Sequence, residues 1–112
     1  MAEASKKLKK MLRQHADRAW EAETTAALQA LSLKFDEWKD GRMSSSDLHD
    51  AIHQYHDGVG REIWNRFATN KAELPLAHAV AEGFIPKESL PPEVLAHIGP
   101  LVEFFQNQTQ DK

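Results

Sequence analysis

The chain of 112 residues contains no cysteine. That excludes disulfide staples, a thiolate nucleophile and every thiolate metal site, and it fits an intracellular protein. No apolar run approaches the ~20 residues needed to cross a bilayer. The start MAEASKKLKK places lysines where the apolar core of a secretory signal would stand, so a cytoplasmic location is expected. Residues of β preference are sparse and never alternate with polar ones, which leaves no strand pattern. The sequence also lacks a phosphate loop, a nucleophile elbow and a glycine-rich strand-to-helix turn. Its carboxylates and histidines form local helix-surface pairs instead of a converging catalytic set, so neither an enzyme nor a cofactor is expected.

What is present favours packed helices. The apolar fraction of 41% includes fifteen alanines. A chain of this length suits one domain but buries only roughly 65% of the surface it exposes unfolded, so a partner chain would add much to its stability. The net charge of −3 is unevenly spread: residues 1–18 hold six Lys or Arg against Glu3 and Asp17, and the rest of the chain carries −7. Such a basic arm attracts phosphate or an anionic surface, and one reading of it is a nucleic-acid or membrane-surface accessory. Trp20 is the only aromatic near the run, and Leu8, Met11 and Leu12 are its only large apolar residues. Those features suit a solvated helix start better than a nucleic-acid reader.

From 5 to 39 there is no Gly or Pro, and the apolar residues recur at helical spacing. Leu8, Leu12, Ala16 and Trp20 begin the series. Leu28, Leu31, Phe35 and Trp38 continue it as a coiled-coil-like seam. A helix of about 30 residues would be ~45 Å long, more than a compact small domain needs. Gly41 stands where a C-cap belongs, and Ser44 with Asp47 has the spacing of a capping box that starts a second helix. The stripe of that helix is Leu48, Ile52, Tyr55, Val59, Ile63 and Phe67. Past Asn70 the elements shorten. A helix over 72–82 is closed by Gly83 with Pro75 in its first turn, Ser89 is expected to cap the start at Pro91-Pro92, and Gly99-Pro100 to break or kink the final segment. The fold expected is all-α: a long antiparallel helical hairpin over 1–70, a small helical head over 71–107 and a frayed tail over 108–112. Dimerisation would run through the hairpin.

His49, His53 and His56 form a row at i, i+4 and i+7, beside the apolar stripe. Adjacent members could hold zinc through two imidazoles. A third donor would lie roughly 10 Å along the axis, so a closed site needs a facing helix or subunit. The general base of a zinc protease is missing as well, since the spacing closes as HDxxH. A His-based metal-binding protein therefore stays as an alternative to a plain polar flank. Gly58 and Gly60 each cost a helix roughly 1 kcal/mol relative to alanine. Either the helix breaks there or another backbone comes close. Arg61 beside them suits a carboxylate partner, and Trp64, off the stripe, suits an interface hot spot or a widened core stripe.

The order of these features resembles the fluorescence recovery protein family. Matching segments are Asp47-Leu48, Ile52-His53-Gln54-Tyr55, Glu62-Ile63, Phe67, Ala77 through Glu82-Gly83, and Glu88-Ser89-Leu90. The resemblance spans about half the chain. It implies an all-helical homodimer of paired hairpins, without a cofactor, that binds the photoactivated orange carotenoid protein and speeds its return to the dark-adapted form. The family's working patch is a Trp, a His-Asp pair and an Arg. Its His falls on His53, its Trp on Asp50, its Asp on Gln54, and its Arg on Gly60 beside Arg61. The expected interface is thus Asp50, Ile52, His53, Gln54, Tyr55, Val59, Gly60, Arg61 and Trp64. Expected partners are a second copy and a carotenoid-binding or other signalling protein.

Overall fold

Ser5 opens the first helix by accepting the backbone N–H of Leu8 on its hydroxyl at 3.1 Å. In the computed structural model, which describes residues 5–110, helix α1 then runs unbroken over Lys6–Lys39, ~51 Å at 1.5 Å per residue. Its end is closed by two backbone bonds, Gly41 N–H to the Trp38 carbonyl at 3.1 Å and Arg42 N–H to Glu37 at 2.9 Å, with Gly41 at φ +78°. Ser44 caps the next helix, its hydroxyl accepting the Asp47 N–H at 3.0 Å.

The second helix is two helices, α2 over Ser45–Asp57 and α3 over Val59–Phe67. Gly58, at φ −103° and ψ −105°, leaves the helical region and breaks the run. A Cβ on Gly58 would lie 2.7 Å from the Gln54 carbonyl oxygen, and one on Gly60 would lie 2.8 Å from that of Tyr55. Of the two expected alternatives the break is the outcome, and the backbone that comes close is the chain's own preceding turn. The break also divides the expected stripe: Leu48, Ile63 and Phe67 are buried, Tyr55 is half-buried, and Ile52 and Val59 are exposed.

Helix α4, Glu73–Ala81, carries Pro75 in its first turn and closes with Gly83 at φ +88°. The closing bonds are Gly83 N–H to Val80 at 3.1 Å and Phe84 N–H to Ala79 at 2.9 Å. Three expectations for the C-terminal part are corrected. Ser89 does not cap the last helix; it ends a 3₁₀ turn, Lys87–Ser89, and its hydroxyl donates to the Pro86 carbonyl at 2.8 Å while accepting from Arg18 at 3.2 Å. Of the break or kink expected at Gly99-Pro100 the break does not occur, because helix α5 runs over Pro92–Gln110 with Pro100 inside it. Pro100 deprives the Ala96 carbonyl of its helical donor, but both residues are exposed, so water can replace that bond while Val94, Ile98 and Val102 hold the opposite face in the core. The tail likewise continues as helix through Gln110, and 111–112 lie outside the described residues.

The described residues are all-α, without a strand. After Gly41 the chain turns back along α1: Trp38 Nε1 donates to Ser45 Oγ at 3.0 Å, Trp20 stacks on Phe67, and Arg13 donates to the Thr69 carbonyl at 2.5 Å. One core forms at the N-terminal half of α1, where Leu12, Ala16 and Ala19 meet Ile63 and Phe67 of α3, Leu76 and Val80 of α4, and Val94, Ile98 and Val102 of α5. The rest of α1 and α2 project from it as an arm. The radius of gyration is therefore 17.1 Å and the extents 58 × 31 × 23 Å, against ~13 Å expected for a compact chain of this length.

Candidate functional site

At the base of the arm an aromatic column leads from solvent to core. Ile63 turns inward, so Trp64, about 100° further round α3, turns outward and is 61% exposed. The Trp64 ring meets Trp20 edge-on at 5.6 Å and 68°, and Trp20 lies nearly parallel to buried Phe67 at 5.6 Å and 11°. Beside the column the helix break opens a cleft of about 420 Å³ lined by Trp20, Thr24, Tyr55, Gly60, Arg61 and Trp64, with His56, Ile63 and Asn65. The Tyr55 ring lies across Gly60, 3.1 Å from where a Cβ would stand, so only glycine leaves the ring in that position. Arg61 is exposed and has no acid or hydrogen-bond partner among the described residues.

Of the residues expected from sequence to form an interface, Tyr55, Gly60, Arg61 and Trp64 meet at this cleft. Asp50, Ile52, His53, Gln54 and Val59 do not line it and are exposed along α2 and at the break. The histidine row separates. His49 and His53 stack on each other with ring centroids 5.0 Å apart, whereas His56 Nδ1 sits 3.3 Å from Asp57 Oδ1. No three His, Asp or Glu side chains among the described residues come together as a metal site.

Sequence reasoning missed a polar cluster buried where α1, α3 and α4 meet. Glu23 of α1 is 4% exposed and pairs with Arg66 of α3. Burial pushes its carboxyl above the usual range against the opposing pull of Arg66, and Glu82 adds to the rise. Burial, reinforced by Arg66, also holds His78 of α4 below its ordinary value, so the imidazole stays neutral more readily. Glu23 Oε2 and His78 Nδ1 are both buried with no hydrogen-bond partner among the described residues. The signal was in the spacing: Leu12, Ala16, Ala19 and Glu23 fall at i, i+4, i+7 and i+11, one buried row that ends in a charge.

The chain matches no family model, no curated protein and no solved structure. No helix among the described residues is long and apolar enough to cross a membrane.

Proposed function

We propose that this protein is a non-enzymatic helical module that acts by binding protein, and that its first partner is a second copy of itself. The observation that supports this reading is the undressed arm. Leu28, Leu33, Trp38 and Ile52 there, and Val59 at the helix break, are between 38 and 62% exposed, whereas Leu48 is the one buried residue of 28–57. Helices gain most of their stability from packing an apolar face, and two helices paired only with each other leave that gain incomplete. A copy of the chain offers the same apolar residues in the same arrangement, which suits a two-fold contact. The resemblance to fluorescence recovery protein favours the same reading, a regulatory dimer formed through its hairpins. His53 is the one member of that family's working patch kept in place, so the partner beyond the dimer is a carotenoid-binding or another signalling protein.

Light scattering at micromolar concentration is expected to give a dimer. Val59→Glu, which leaves the monomer's core untouched because Val59 is exposed, is expected to shift it toward monomer by placing charge in the apolar contact. A monomer for the unmodified protein would overturn the reading. Pull-down with photoactivated orange carotenoid protein then decides between the two partner classes.

A further inference from the structure

The cleft at the helix break combines features that select a small ligand. It is lined by Trp20, Trp64 and Tyr55, with Ile63 beside them. Its volume, about 420 Å³, falls within the range that encloses small organic molecules. Neither Asp nor Glu lines it, and the Arg61 guanidinium on its rim has no acid partner among the described residues. The other basic side chain there, His56, already faces Asp57 at 3.3 Å. One available cation therefore stands beside a set of aromatic surfaces.

We propose that the cleft beside the Trp20–Trp64 pair binds a planar aromatic monoanion, its ring system against the aromatic lining and its carboxylate or sulfonate on Arg61. Each half of that description follows from a mismatch that other ligands would leave. A neutral aromatic leaves Arg61 without a counter-charge, and an aliphatic acid forgoes ring contact with the aromatic lining. A polyphosphate brings several charges to one guanidinium. A planar ring with a single acidic group satisfies both parts, and Arg supplies the forked donor geometry that a carboxylate accepts. Gly60 of the cleft directly follows Val59 of the proposed dimer contact, so occupancy and oligomeric state are measured together.

The probe is 2-naphthoate, titrated into the full chain while the indole N–H resonances of the three tryptophans are followed by NMR. Trp20 and Trp64 resonances are expected to shift and that of Trp38, at the far end of the arm, to stay, with a dissociation constant on the order of 100 µM for a ligand of this size. The neutral isostere 2-naphthalenemethanol is expected to bind about tenfold more weakly, ~1.4 kcal/mol. Arg61→Gln, a surface change, should remove that difference between the two probes, and cyclohexanecarboxylate should fail to shift either indole. Equal binding of the charged and neutral probes to the unmodified protein would overturn the proposal, as would Trp38 shifting together with the other two, or no shift with millimolar probe. Light scattering on the same samples reads the oligomeric state separately, so loss of the dimer and loss of the ligand site are distinguishable outcomes.

Discussion

Glu23 and Arg66 join α1 to α3 from inside the core, and the two partners are not equivalent. Arg66 keeps part of its side chain in solvent, whereas Glu23 is 4% exposed and depends on Arg66 for its counter-charge. Arg66→Met should therefore cost about 3–5 kcal/mol in urea unfolding at neutral pH, because it strands a buried carboxylate. Glu23→Gln should cost less, since an amide still accepts from Arg66 and carries no charge. The pH dependence follows from the raised Glu23 carboxyl. A group that holds its proton more tightly folded than unfolded contributes stability below its unfolded value and loses it as pH rises through the folded one. Removing Arg66 raises the folded value further, so the deficit of Arg66→Met should shrink between neutral pH and about pH 5. A deficit that stays constant over that range would show that Glu23 is not the stranded group. At this scale the sequence was only partly readable. Trp64 stood out because it lies off the apolar stripe, and Arg61 because it stands beside two helix glycines. Glu23 did not, because a charged residue on a long, lysine-rich helix looks like surface until the partner helices fix which side is buried.

Helix starts and stops respond to local chemistry, and where only local chemistry acts they could be read directly. Ser44 and Gly41, the first-turn Pro75 and the Gly83 closure all behave as their residue types require. Ser89 and Pro100 do not, because distant packing overrides the local rule: Arg18 and the Pro86 carbonyl engage Ser89, and the core face of α5 carries the helix past its proline. One glycine tests the local side of this experimentally. Gly60→Ala meets the Tyr55 carbonyl at 2.8 Å and should cost about 1–3 kcal/mol. Thermal unfolding of the variant checks the sign, and stabilisation would mean that the break does not need glycine at 60.

For the whole molecule, an all-α chain with one overlong helix was legible from periodicity alone. Which half of that helix would be buried was not. Leu8 to Trp20 and Leu28 to Trp38 read as equally apolar, and only the packing of α4 and α5 against the first half separates body from arm. Hydrogen exchange should reproduce that division. In the Val59→Glu variant, amides of α2 are expected to exchange well before those of α4 and α5, with the gap narrowing in the unmodified protein at high concentration. Equal protection in the variant would mean that the arm is stable without a partner.

The core also unites segments far apart in sequence, Leu12 through Ala19 with Val94 through Val102. During synthesis α1 and α2 are made before α4 and α5, so the core face of α1 is not fully covered until those later helices follow. The arm needs only neighbouring stretches of sequence to form, whereas the body must close a long loop first. The arm can thus form before the body folds, and the order of folding is written into which residues the core joins.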